Sequence, residues 1–101
     1  MQFTLKGKLI EKFDTQQVSD KFSKREFVVE TKDASGNGQI YVETIKFQLT
    51  NQKCNLIDST PLNSEVEVSF NIRGKRFEKD GKVSYFNNLE AWKVTEELPF
   101  N

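Results

Sequence analysis

TNQKCNLIDSTPLNS, residues 50–64, interrupts a chain that otherwise reads as β-strands, and its character decides the fold. Strand-like alternation is missing from it. Thr50 or Asn51 can cap a short helix whose apolar side is Cys54, Leu56 and Ile57, with Pro61 as its stop. Working outward from this segment, the period changes to two on both sides.

Downstream, EVEVSFNI (65–72) alternates strictly and sets Val66, Val68, Phe70 and Ile72 on one face, and VSYFNNLEAWKV (83–94) reads as the last strand. Upstream, Phe3, Leu5 and Leu9 alternate with Thr4, Lys6 and Lys8, and Gly7 within that run permits a sharp bend or a close backbone approach. A polar loop, residues 14–23, leads to KREFVVET (24–31), and the turn residues DASGNG (33–38) precede IYVETIKFQL (40–49). SGNG lacks the lysine and following helix of a phosphate-binding loop, so it reads as a hairpin tip. Three strands, one short helix and two strands predict an all-β fold, a five-stranded OB-fold Greek-key barrel with the helix between strands three and four. An SH3-like barrel is the alternative, though it normally lacks a helix there. Residues 1–94 are expected to form this domain and 95–101 an acidic C-terminal tip.

Composition narrows the chemistry. At 101 residues the chain makes one domain, and nine Phe with 36% hydrophobic residues favour a folded core despite 30% charged residues. Histidine is absent, which removes the commonest general base and metal ligand. No nucleophile–base pair, metal-ligand spacing or cofactor loop is visible, so a non-enzymatic protein without metal or cofactor is expected. Cys54 has no intrachain partner and reads as a buried structural thiol in a reducing compartment. No run approaches the ~18 apolar residues needed to span a bilayer, and the N-terminus lacks a signal-peptide core. A cytoplasmic protein without membrane contact is expected.

RGKRFEKDGK (73–82) polarises this neutral chain. Arg73, Lys75, Arg76, Lys79 and Lys82 stand against Glu78 and Asp80, so the segment carries 5 − 2 = +3 and the remainder −3. Phe77 lies within the run, Tyr85 and Phe86 just after it, and Trp92 further on. Cations that track a phosphate backbone, interleaved with rings that stack on bases, suit sequence-tolerant single-strand binding. The plain alternative is a KDG turn whose lysines keep a sheet edge soluble. Period two puts Phe77 on the face opposite Val66 and Val68, unless Gly74 marks a bulge. On the last strand the same alternation turns Leu89 and Ala91 inward and Phe86 and Trp92 outward. Lys24 and Arg25, with Lys21, either extend the basic surface or form a solvated face.

With these residues in view, the chain resembles small single-stranded DNA-binding proteins of the bacterial and phage SSB type. It also resembles an uncharacterised family of small SSB-like OB domains, in KREFVVET and in EVEVSFNIRGKRF through NNLEAWKV. In SSB proteins a basic run and an aromatic open the hairpin between strands four and five, and another aromatic follows a glycine; Lys75, Arg76, Phe77, Gly81 and Tyr85 match. The family's stacking tryptophan on strand three has no clear counterpart, with Ile45 or Phe47 in its neighbourhood.

The family's acidic tail tip, which docks on replication and repair proteins, is matched by Glu96, Glu97, Leu98, Pro99 and Phe100, although Asn101 follows the Phe and only Thr95 separates strand from acids. The resemblance implies single-stranded DNA binding in replication, recombination or repair, in a bacterial cell or phage-infected host. A homo-oligomer is compatible with it. The alternatives are an adaptor module assembling through exposed rings, and RNA or oligosaccharide binding on the same barrel.

Overall fold

A computed structural model describes residues 2–34 and 36–97. Six strands and one short helix follow in order: β1 (Phe3–Lys12), β2 (Gln16–Ser19), β3 (Phe22–Ala34), β4 (Ile40–Thr50), a 3-10 helix (Asn51–Ile57), β5 (Glu65–Lys79) and β6 (Lys82–Glu96). Antiparallel pairs β1–β3, β3–β4, β1–β5 and β5–β6, with a parallel β4–β6 contact at Gln48 and Glu90, close β1, β3, β4, β6 and β5 into a five-stranded barrel. This is the expected OB-type architecture, with the helix where residues 50–64 put it. Among the described residues no helix is long and apolar enough to cross a membrane.

The additional strand, β2, lies in the stretch read as a polar loop. It is four residues long and exposed throughout, pairing only with β3, so no apolar alternation marked it.

Closure depends on Gly7. There β1 leaves β5 and joins β3, and a Cβ on Gly7 would come within 2.5 Å of the Glu30 carbonyl oxygen and 2.6 Å of Val29 Cγ1. No side chain fits between strands at that spacing. One extra residue in β1, between Leu9 and Glu11, then bends the strand around the barrel.

The core gathers the inward positions of every barrel strand: Leu9, Phe27, Val29, Phe47, Leu49, Val66, Val68 and Ala91. Cys54 and Ile57 plug one end from the helix, while Leu56, expected beside them, is exposed. Cys54 is a buried free thiol directed at the Leu49 carbonyl, 3.6 Å away.

The helix itself differs in detail. Thr50 makes no side-chain cap; Asn51 instead starts the turn with φ 51° and accepts the Ser23 N–H on Oδ1. It ends at Ile57 with Asp58 as its C-cap, before Pro61 is reached. Two cations donate to carbonyls of the helix and of the turn that follows it. Lys12 Nζ donates to Ile57 and Thr60, and Arg25 Nη1 donates to Cys54.

Candidate nucleic-acid interface

β5 and β6 outrun the barrel. β1 begins opposite Phe70 and β4 meets β6 at Glu90, yet the β5–β6 ladder continues from Ile72↔Leu89 to Lys79↔Lys82. Asp80 (φ 53°) and Gly81 (φ 79°) form the two-residue tip, a geometry in which both central residues need positive φ. The arms are therefore a twisted ribbon with two accessible faces.

Alternation distributes the side chains, since residues directly opposed across an antiparallel pair share a face. One face carries Arg73, Lys75, Phe77 and Lys79 from β5, and Lys82, Ser84, Phe86 and Asn88 from β6. The other carries Ile72, Gly74, Arg76 and Glu78, opposed by Leu89, Asn87, Tyr85 and Val83. The first face thus holds four cations and no carboxylate between Arg73 and Lys82. On the second, Arg76 and Glu78 cancel.

The cationic face is also aromatic. Phe77 and Phe86 meet edge to face, with centroids 5.4 Å apart and planes at 77°, and Lys75 Nζ lies 4.9 Å from the centre of the Phe77 ring. Both rings are about half exposed, at 47% and 55%. A shallow depression of about 410 Å³ runs along Arg73, Lys75, Phe77, Phe86 and Asn88. At its inner end Arg73 donates to Glu90 through Nε (3.2 Å) and Nη2 (3.1 Å). Glu90 also lines a groove of about 730 Å³ whose other lining residues include Gln17, Lys21, Asn51 and Gln52.

Six of the residues singled out from sequence are brought together here: Arg73, Lys75, Phe77, Lys79, Lys82 and Phe86. Arg76 and Tyr85 belong to the opposite face. The alternation passes through Gly74 unbroken, paired with Asn87, and the bulge falls instead on β6: Ser69 opposes Lys93 and Phe70 opposes Ala91, leaving Trp92 as the extra residue.

Trp92 does not join the core cluster, yet it is not freely exposed either. It is half-buried, and its indole Nε1 is sealed from solvent with no hydrogen-bond partner among the described residues. Leu89 and Ala91 do face the core.

Lys24 lies on β3 between Gln16 and Thr50, away from the arms. Arg25 is occupied internally: Nε donates to the Phe13 carbonyl at 2.8 Å, and Nη1 to Cys54 at 3.0 Å and to Asp58. Its side chain is 13% exposed. Arg25→Ala is accordingly expected to cost about 2–3 kcal/mol of stability, since it strips charged hydrogen bonds from the helix and the β1 terminus. Chemical denaturation should show the loss, with oligonucleotide affinity of the folded fraction unchanged.

Of the acidic tip, Glu96 is the last β6 residue, opposite Val66, so the sheet runs two residues past the boundary expected at 94. The Glu97 N–H donates to the Glu65 carbonyl, and its carboxylate lies 3.3 Å from Lys6 Nζ. Leu98, Pro99 and Phe100 lie outside the described residues. Sequence reasoning passed over Asn88, Glu90 and the amide-lined groove, which carry no local motif. It also passed over Tyr41, a 51% exposed ring near the β3–β4 turn.

A barrel of this order with a helix between β4 and β5 has the OB-fold architecture. The chain is a member of the family described as Domain of unknown function (DUF3127), whose model matches residues 4–95. No curated protein matches it.

Among solved structures it is similar to the wild-type single-stranded DNA binding protein from Thermus aquaticus, with TM-score 0.75 and 17% identity. It is also similar to a deletion mutant of that protein, with TM-score 0.71 and 16% identity. Each superposition covers 96% of this chain and 50% of the other, so the chain spans half the length of these neighbours. At this identity the likeness is one of fold.

Proposed function

We propose that the protein binds single-stranded DNA without catalysis, along the cationic face of the β5–β6 hairpin. The observation that carries the reading is the segregation on that face: Arg73, Lys75, Lys79 and Lys82 flank the paired rings of Phe77 and Phe86, with no carboxylate between them. Phosphates are drawn to the four cations while the rings offer flat surfaces to bases. A sequence-tolerant ligand fits, because stacking and backbone contacts do not distinguish one base from another. Glu90 holds Arg73 at the hairpin base, so a phosphate must compete with a carboxylate there.

The resemblance to SSB proteins supports a role in replication, recombination or repair in a bacterial or phage-infected cell. It also supports a docking role for Glu96, Glu97, Leu98, Pro99 and Phe100 toward partner proteins, with Glu97 held beside the sheet by Glu65 and Lys6.

Fluorescence anisotropy with labelled oligothymidylate tests the reading. Three to four neutralised phosphates predict that log affinity falls with log salt at a slope of about −2 to −3. A duplex of equal length, an RNA strand and a neutral oligosaccharide are each expected to compete less well. Absence of binding at low salt, or a preference for the sugar, overturns it.

A further inference from the structure

The groove at the foot of the hairpin has a different chemistry from the arms. It lies where β2 and its turn to β3, the start of the 3-10 helix and Glu90 of β6 come together. Gln17 and Asn51 bring amides to it, and Lys21 and Lys53 stand against Asp20 and Glu90, so its charges balance. Among the described residues no ring lines it. A phosphate gains little from such a wall, whereas the edge of a base finds hydrogen-bonding groups there.

Existing hydrogen bonds fix what those groups still offer. Gln17 Nε2 donates to the carbonyls of Ser19 and Phe22, so its amide is turned with Oε1 as the unused acceptor. Asn51 Oδ1 accepts the Ser23 N–H, which leaves Nδ2 to donate. Arg73 places both of its bonds on Glu90 Oε1, so Oε2 is an acceptor without a partner among the described residues. The Glu90 side chain is 27% exposed and can be reached from the groove. Two acceptors and one donor amide therefore face a common space.

We propose that this groove takes the Watson–Crick edge of a single guanine in the bound strand, an inference that rests on the single-strand reading above. Guanine alone among the bases carries two neighbouring donors, its N1–H and its N2 amino group, beside one acceptor, O6. Glu90 Oε2 and Gln17 Oε1 accept from the two donors, and Asn51 Nδ2 donates to O6. Adenine, cytosine and thymine each present one donor group on that edge. With any of them an acceptor of the groove is left unpaired or set against a lone pair, which costs binding.

The path is continuous with the hairpin. Arg73 lines the depression beside Phe86 and is bonded to the carboxylate that lines the groove, 3.1 Å away. A strand stacked on Phe77 and Phe86 thus leads past Arg73 into the groove. The hairpin supplies affinity for any sequence, and the groove sets the register in which the strand is held.

Fluorescence anisotropy of the full chain tests this with a labelled oligothymidylate and three others in which one central dT is replaced by dG, dA or dC. The dG strand is expected to bind about 5- to 150-fold tighter than each of the others, the span of one good bidentate base contact. Glu90→Gln keeps an oxygen for Arg73 and turns a donor toward the groove, so the dG preference is expected to disappear while oligothymidylate still binds. Gln17→Met, at an exposed β2 position, removes the second acceptor and is expected to reduce the preference.

Equal binding of all four strands overturns the guanine subsite and leaves the single-strand reading standing, as does a preference for dA or dC. A dG preference that survives both substitutions overturns it as well. So does a Glu90→Gln variant that weakens every strand alike, since the carboxylate would then serve Arg73 only. Failure to bind any strand at low salt removes the single-strand reading itself, and the subsite with it.

Discussion

Phe77→Ala is expected to weaken binding of oligothymidylate by about 5- to 150-fold, the equivalent of about 1–3 kcal/mol for one lost stacking platform. The ring projects from an arm beyond the barrel, 47% exposed, and touches Phe86 and Lys75 rather than the core. Its removal therefore forfeits the edge-to-face contact, about 0.5–1.5 kcal/mol, and the exposed cation–π contact with Lys75, about 0.5–1 kcal/mol, and leaves the domain folded. An affinity loss with a nearly unchanged denaturation midpoint is the expected signature. A large fall in stability would instead mean that the hairpin arms fold back on the barrel and bury the ring.

The control is Tyr85→Ala. Tyr85 is more exposed than Phe77 yet faces the other way, so its loss should leave the affinity nearly unchanged. Equal effects from both substitutions would mean that DNA wraps the ribbon, and the division of labour between its faces would fall. Phe86→Ala is expected to behave like Phe77→Ala. Either substitution also removes the neighbour against which the remaining ring is held, so the double mutant should lose less than the sum.

Much of this was legible in sequence because period two is a local property. Val66 and Val68 fell inward, Phe77 outward and the helix between strands three and four for that reason alone. The same rule, applied to residues 73–79, separates Arg73, Lys75, Phe77 and Lys79 from Arg76, a division hidden while the run was treated as one charge cluster.

What remained hidden depends on partners distant in sequence. The bulge at Trp92 exists only in the pairing of β6 with β5 and has no glycine to mark it. Arg25 looks like a solvated cation until the carbonyls of Phe13 and Cys54 converge on it from 12 and 29 residues away. β6 runs on to Glu96 because Glu67 and Val66 offer it unpaired backbone, whatever the acidity of the side chains.

Phe47 separates the two readings of strand β4, and its replacement has the largest expected effect on stability. The resemblance to SSB proteins points to a base-stacking ring in this neighbourhood, yet Phe47 is 1% exposed. It lies parallel to Phe27 at 5.4 Å and edge-on to Phe70 at 5.0 Å, and Phe70 in turn stacks on Phe3 at 5.8 Å. Four strands, β1, β3, β4 and β5, meet in this chain of rings.

Phe47→Ala is thus expected to cost about 3–5 kcal/mol, through lost burial and a cavity that closed barrel strands cannot collapse to fill. Against a total of about 5–15 kcal/mol for a domain of this size, that is enough to populate the unfolded state, so urea titration in the cold is the appropriate measurement. Phe47→Leu keeps most of the volume and should lose under about 1.5 kcal/mol, which leaves a folded protein for DNA titration. Its affinity is expected to equal that of the wild type, because no base reaches the ring. A leucine variant of normal stability but weakened affinity would put a base on Phe47, and the strand would then lie across the barrel wall rather than along the hairpin.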